Sequence, residues 1–299
     1  MHEKIGYARH VARVLQAAKN CQNKNKSVIR AKIKIKQFNL FGDQHMNVKH
    51  KIGAGLVGML TAQSAFAETM MLESGDFVGY SFWLISMALA AATIFFLMEA
   101  LKIGGKWATS LTVSALVTFI AAFHYMYMRE VWVATGDTPT DFRYIDWLLT
   151  VPLLMIEFYL ILAAITKVSG GIFWRLLIGT LVMLVPGYMG EAGYMPVMWG
   201  FIIGMIGWIY ILYEIFAGEA SKVAAAQASG AVKKAYGLMK WTVTLGWAIY
   251  PIGYYLGYLA GGTDVGTLNI IYNLADVLNK IAFGLFIWWA ANEEHSARN

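Results

Sequence analysis

Seven apolar stretches, at about 77–98, 107–128, 144–166, 172–189, 195–217, 236–260 and 268–291, dominate the chain from residue 76 onward. Each is close to the roughly 20 residues that an α-helix needs to cross a bilayer. In hydrocarbon every backbone N–H and C=O must be paired within its own segment, so runs of this length are read as helices. Gly, Pro, Asp and Lys punctuate the gaps between them. The pattern predicts an all-α membrane protein, a seven-transmembrane-helix bundle in contact with membrane lipids, with its two ends on opposite sides. Only 14% of the 299 residues are charged, whereas about 25% is usual for a soluble domain.

The formal charge of +6 is unevenly spread. Residues 1–51 hold 12 of the 24 Lys and Arg but only two acids, Glu3 and Asp43. The basic balance therefore belongs to this segment and gives no indication of nucleic-acid binding by the remainder, which is net acidic. Cys21 is the single cysteine, so neither an intrachain disulfide nor a cysteine-based metal site is available. Met46 opens a short basic run ending at Lys51, followed by an apolar stretch over 52–60 and the small-x-small triplet Ala65-Phe66-Ala67 before Glu68. That is the layout of a secretory signal peptide. Its apolar part is too short to span the hydrocarbon. The expected organisation is a basic extension over 1–45 upstream of the true start, a signal peptide over 46–67, and a seven-helix domain over 68–299.

Loop charges orient the bundle. One set of loops carries Lys102, Lys106, Lys167, Arg175, Lys222, Lys233 and Lys234. The other carries Glu130, Asp137, Asp141, Glu191 and Asp264, with Arg129 the one base nearby. Excess Lys and Arg mark the cytoplasmic side. The mature N-terminus is then outside and Asn299 inside, as a cleaved signal peptide also requires. The stretch 218–235 reads as the longest cytoplasmic loop.

An ionisable group deep in a membrane span is costly and is a functional candidate by default. The seventh span places Asp276 four residues before Lys280, on one helix face. A buried lysine amine is able to form a Schiff base with an aldehyde, and its cationic form needs an anion beside it. The alternative is a purely structural ion pair. In the third span Asp146 and Glu157 are 11 residues apart, three turns plus about 20°, so they share a face at depths differing by about 16.5 Å. Thr150 lies one turn from Asp146 on that face. Carboxyls at staggered depths suit a proton relay, although Glu157 alone also reads as a carboxylate reaching for water at a helix end. His124, in the second span, reads either as a polar core residue or as a partner of such a relay.

Several stretches taken together resemble the microbial rhodopsins, and among them the green-absorbing proteorhodopsins of marine bacteria. They are the third span from Arg143 to Glu157, the seventh from Tyr272 to Gly284, His124-Tyr125-Met126-Tyr127-Met128, the run from Val185 to Gly193, and Gly246-Trp247-Ala248-Ile249-Tyr250-Pro251. The resemblance covers about residues 68–292. It implies all-trans retinal covalently bound to Lys280 as a Schiff base. It further implies Asp146 as primary counter-ion and proton acceptor, Glu157 as proton donor, Asp276 as second counter-ion, His124 as the group that titrates with the acceptor, and Arg143 as a tuner of it. Trp147, Thr150, Trp247, Tyr250, Pro251 and Tyr254 would enclose the chromophore, with Tyr254 standing where some relatives have tryptophan. Tyr125 would bond the second counter-ion, and Leu154 sits at the position linked to colour, with leucine matching the green type. Trp83 hints at a ring-shaped homo-oligomer, a pentamer or hexamer, and bulky Phe201 would fill the opening that a carotenoid antenna needs.

The implied activity is that of a light-driven outward proton pump in the bacterial inner membrane, an ion transporter rather than an enzyme. A photosensory rhodopsin is the alternative. Sensors commonly lack a carboxylate at the donor position, whereas Glu157 is present. A chloride or sodium pump would lack Asp146 or Glu157. The reading of the N-terminus has a direct check. Translation from Met46 is expected to give the full yield of protein, and mass spectrometry of the mature protein is expected to find Glu68 at its N-terminus.

Overall fold

The computed structural model describes residues 72–228 and 230–297. The expected extension over 1–45 and signal peptide over 46–67 lie outside the described residues. Nine α-helices are present among the described residues: α1 (Phe77–Ile103), α2 (Gly105–Thr135), α3 (Thr140–Ala163), α4 (Gly170–Glu191), α5 (Val197–Phe216), α6 (Glu219–Gln227), α7 (Gly230–Trp241), α8 (Ile249–Tyr254) and α9 (Val265–Ser296). Two π-helical turns, Thr242–Gly246 and Tyr255–Leu259, flank α8.

Six segments are long and apolar enough to cross a membrane, with α5 and α6 counting as one of them. The seventh crossing is composite, made of α7, the two π turns and α8. Neighbours in sequence pack side by side from α1 to α5, and α9 packs against both α1 and α7. This arrangement closes the seven-helix bundle. The chain is a multi-pass membrane protein.

Helix ends are set by short-range chemistry. The Asp76 carboxylate accepts the Gly79 N–H at 2.8 Å, capping α1, and also accepts the Trp132 indole N–H at 3.1 Å, tying α1 to α2. Gly104 and Gly105 take φ of 64° and 58° in the turn between these helices, a backbone region that favours glycine. Asp264 caps α9 by accepting the Thr267 N–H at 2.7 Å. That bond holds the Asp264 carboxyl below its usual range, so this cap is present at neutral pH and is lost on acidification.

Several helices run past one or both ends of the apolar windows that predict them. α2 continues to Thr135 and α3 begins at Thr140, so Arg129, Glu130 and Asp141 are helical rather than in a loop. Backbone pairing does not stop where hydrocarbon stops, and Gly136 in a left-handed C-cap and Pro139 decide the boundaries instead. The expected long loop over 218–235 is also mostly helical, holding α6 and the start of α7. Its alanines have the strongest helix propensity of any residue. Arg175 on α4 bonds Glu214 at 3.0 Å and Glu219 at 2.6 Å, and Glu214 accepts the Ala220 N–H at 3.0 Å. This knot fixes the start of α6 against the end of α5.

The bundle is more polar inside than outside. Phe77, Leu84, Ile94, Leu101 and Phe123 face outward, while Ser86, Thr118, Arg143, Asp146, Glu157, Asn273 and Lys280 are buried. Lipid is as apolar as leucine, so packing rather than the hydrophobic effect holds the helices together, and small residues allow close approach. At Gly207 on α5, a β-carbon would lie 2.5 Å from the Met183 amide nitrogen of α4. Gly207→Ala is therefore expected to destabilise the bundle by about 1–3 kcal/mol. Gly237 on α7 has open space, so Gly237→Ala is expected to stabilise by about 0.4–1 kcal/mol through helix propensity alone. Thermal unfolding in detergent followed by circular dichroism checks both signs.

Candidate functional site: a lysine held between two carboxylates

Lys280 is 3% exposed and lies in the middle of α9. Its Nζ donates to Asp276 Oδ2 at 2.7 Å and to Asp146 Oδ2 at 2.8 Å. Asp276 comes from the preceding turn of α9, and Asp146 reaches across from α3. Both carboxylates are fully buried. Asp276 also accepts the Tyr250 hydroxyl at 2.7 Å and the Trp147 indole N–H at 3.1 Å. Buried ions are tolerated when their remaining hydrogen-bonding capacity is filled, and Asp276 meets that condition.

Arg143 is the fourth buried charge, and it makes the local sum of two cations and two carboxylates neutral. It lies one turn before Asp146 on α3. Its Nη2 donates to Asn269 Oδ1 at 2.8 Å and Asn273 Oδ1 at 3.0 Å, and its Nη1 donates to the Tyr125 hydroxyl at 3.3 Å. The guanidinium sits between the rings of Phe82 and Tyr272, 5.7 and 5.4 Å from their centroids, a cation–π arrangement. Asn269, Asn273, Asp276 and Lys280 form one polar column on α9. The two asparagines were not picked out from the sequence, although their spacing with Asp276 and Lys280 is the signal that reveals them.

His124 approaches Asp146 without bonding it. Its Nδ1 lies 3.7 Å from Asp146 Oδ1, beyond hydrogen-bond range, and 2.9 Å from the Ile120 carbonyl. Nδ1 is therefore the donor nitrogen in this arrangement, because a carbonyl only accepts. Asp146 Oδ1 has no hydrogen-bond partner among the described residues.

Glu157 is fully buried on the face of α3 that carries Asp146 and Thr150. Ser114 of α2 contacts it, with Oγ 2.7 Å from Oε1. Ser114 carried no sequence signal, because serine is ordinary in membrane helices.

An apolar cavity opens from Lys280 between α3, α4, α5, α8 and α9, with about 800 Å³ of empty space, part of it open to the outside. Trp147, Leu154, Trp247, Tyr250, Pro251 and Tyr254 line it, as do Phe201, Trp208 and Glu191. Tyr125 and Thr150 do not line it. Tyr125 is turned to Arg143, whose Nη1 donates to its hydroxyl. Thr150 bonds the Asp146 carbonyl at 2.9 Å, the usual route for a threonine hydroxyl within a helix. Glu191, expected in a loop, closes α4 and accepts the Tyr144 hydroxyl at 3.0 Å.

The first π turn shapes the cavity wall. Wide turns leave carbonyls without a regular partner. The Val243 carbonyl accepts the Trp208 indole N–H at 3.0 Å, and the Gly246 carbonyl accepts Asn279 Nδ2 at 3.1 Å. A β-carbon at Gly246 would collide with Asn279 Oδ1. Asn279 therefore locks the turn that carries Trp247 to the residue beside Lys280.

Comparison with known proteins identifies the family. Residues 76–294 match the family model described as bacteriorhodopsin-like protein. The green-light absorbing proteorhodopsin of Gamma-proteobacterium EBAC31A08 is 59% identical over 226 residues, 75% of this chain and 90% of the relative. The crystal structure of blue light-absorbing proteorhodopsin from Med12 superposes with a TM-score of 0.64 at 52% identity, covering 73% of this chain and 99% of that one. The structure of xanthorhodopsin, described as a light-driven ion pump with dual chromophore, gives a TM-score of 0.66 at 27% identity over 76% of this chain and 97% of that one. With the family model spanning its seven-helix region and a close relative covered almost throughout, the chain belongs to the bacteriorhodopsin-like family.

Proposed function

We propose that this protein is a light-driven outward proton pump of the bacterial inner membrane, with all-trans retinal attached covalently to Lys280 as a Schiff base. The observation that carries the proposal is Lys280 Nζ between Asp146 and Asp276, at the end of an aromatic cavity. The residues fit the group. A single amine is available for the bond, two anions stand ready for a cation there, and the wall is apolar enough for a polyene. When bound, retinal supplies light absorption and a light-driven change in the proton affinity of the attached nitrogen. The cavity position of Leu154 fits the green-absorbing type.

The chain's own groups move the proton. Asp146 stands ionised beside Nζ and accepts the Nζ proton at a carboxylate oxygen. Its Oδ1, with no hydrogen-bond partner among the described residues, is open to it. Asp276 remains the anion of the site, because Tyr250, Trp147 and Lys280 already donate to it. Arg143 stays a cation and supports both carboxylates through the field of its guanidinium. His124 Nδ1, 3.7 Å from Asp146 Oδ1, is near enough to bond that carboxyl after a small movement.

Glu157 is the donor that refills Nζ. Ser114 Oγ lies 2.7 Å from Glu157 Oε1 and 3.3 Å from the Ser110 carbonyl. A hydroxyl has one hydrogen. A protonated Glu157 donating to Ser114, which then donates to Ser110, satisfies both contacts. A buried carboxylate with one partner would be costly, so the dark state holds the acid form.

Direction follows from depth. α3 runs from the acidic end of the bundle to the basic end, and Glu157 lies about three turns beyond Asp146 toward the basic end. Lys and Arg mark the cytoplasmic side, which gives uptake from inside at Glu157 and release outside beyond Asp146. The N-terminus is then outside and the C-terminus cytoplasmic. Trp83, half exposed on α1, is placed to meet lipid or a second copy in a ring-shaped homo-oligomer.

Three substitutions test the assignments. Lys280→Ala is expected to remove the visible pigment even with excess retinal. Asp146→Asn removes an anion that stabilises the cationic chromophore, so it is expected to be red-shifted at every pH and to pump nothing. The unmodified protein is expected to make the same shift on acidification, as Asp146 takes a proton. Glu157→Gln is expected to keep its colour and its first proton transfer, while the return of a proton to Nζ slows by about 10²-fold. Azide, a small proton carrier, is expected to restore that rate. Flash photolysis separates the roles, and light-induced pH change in cell suspensions reads the direction. Alkalinisation of the medium in light would overturn the outward reading.

A further inference from the structure

Two buried polar atoms on the basic side of the bundle stand without a hydrogen-bond partner among the described residues: Glu157 Oε2 and Ser110 Oγ. Ser110 and Ser114 are one turn apart on α2, about 6 Å along the axis, and Ser114 lies between the two orphans. Its Oγ is 2.7 Å from Glu157 Oε1 and 3.3 Å from the Ser110 carbonyl. Leaving a buried polar atom unpaired is costly. A water lodged beside Ser114 between these two atoms would give each of them a partner, and such a water needs between two and four polar partners. Three residues nearer the basic end, on the same face, Trp107 is 2% exposed, and its indole N–H donates to Glu294 Oε2 of α9 at 3.2 Å.

We propose that Ser110, beneath a lid formed by Trp107 and Glu294, is the inlet through which Glu157 regains its proton from the cytoplasm. The proposal rests on the reading of Glu157 as the internal donor. A water held by Ser110 Oγ and Glu157 Oε2 gives its proton to Oε2 and takes another from bulk water as the lid opens. The carboxylate becomes the neutral acid, and Ser110 is left unchanged. Ser110 is thus a positioning residue that fixes the water, and the Trp107–Glu294 bond sets how often that water meets bulk solvent. The same arrangement explains how a relay carboxyl that must be refilled from water is fully buried in the resting protein.

The test uses the full chain without retinal, so that it does not depend on pumping. The infrared carbonyl band of protonated Glu157 is identified by its loss in Glu157→Gln, and its isotope shift after transfer into heavy water gives the proton-exchange rate. Ser110→Ala is expected to slow that exchange about tenfold, the kinetic equivalent of one hydrogen bond. Ser110→Thr, which restores the hydroxyl, is expected to exchange at near the unmodified rate. Trp107→Phe keeps the ring and loses the N–H, so it is expected to speed exchange. Thr112→Ala, on the exposed face of α2, is expected to change nothing. Exchange at the unmodified rate in Ser110→Ala, or equal slowing in Thr112→Ala, would overturn the inlet. If Ser110→Ala does not fold, an unchanged rate in Trp107→Phe overturns the lid. Failure of the donor reading looks different: in the retinal-loaded protein, Glu157→Gln would then leave the late proton return unslowed, whatever the exchange rates are.

Discussion

The structure is organised around a cation that has been taken out of water. Lys280 sits near the middle of a membrane helix with an oxygen of Asp146 and one of Asp276 within 2.8 Å. Neither carboxylate is tolerable there without the amine, and the amine is not tolerable without them, because an isolated charge in hydrocarbon costs several kcal/mol or more. Two anions on one cation leave a net negative charge. Arg143 neutralises it from one turn away, itself held by Asn269 and Asn273 and sandwiched by Phe82 and Tyr272. Tyr250 and Trp147 fill the remaining lone pairs of Asp276. Seven helices are what it takes to surround such a group with protein on every side.

The two buried carboxyls of α3, Asp146 and Glu157, have different surroundings. Asp146 faces a lysine amine, an arginine one turn away and a histidine at 3.7 Å. Glu157 faces one serine hydroxyl. In the proposed pump the first setting suits an acceptor and the second a donor, at different depths of one helix. Transport direction then becomes a matter of which end of α3 is inside. The lysines and arginines clustered at the Ala163 end answer that for the proposed pump.

Departures from regular helix fall where the cavity needs them. The sixth crossing is broken by two π turns on either side of α8. Carbonyls of the first turn, at Val243 and Gly246, are taken up by Trp208 and Asn279, which brings Trp247 to the cavity wall and couples it to the residue next to Lys280. A straight helix of the same sequence would satisfy its own backbone but would aim these side chains differently.

The chain by itself determined everything that depends on position within one helix. Seven runs of membrane length, the shared face of Asp276 and Lys280, and the alignment of Asp146, Thr150 and Glu157 follow from a 3.6-residue period that does not change between sequence and structure. The ends of helices were less legible: α2 and α3 run past their apolar windows, and 218–235 is helical, because capping and alanine propensity act where hydropathy is silent. Only the tertiary structure decided what happens between helices. It brings Asp146 to Lys280 across 134 positions of sequence, gives Arg143 to two asparagines and Tyr125, holds His124 just short of a bond to Asp146, and sets Ser114 against Glu157. In a bilayer the outward face of a helix is at least as apolar as the inward one, so the rule that the apolar face is buried does not say how each helix is rotated about its own axis. That rotation comes from packing small residues such as Gly207 against a neighbouring backbone and from pairing the few buried polar groups, and both are properties of the assembled bundle.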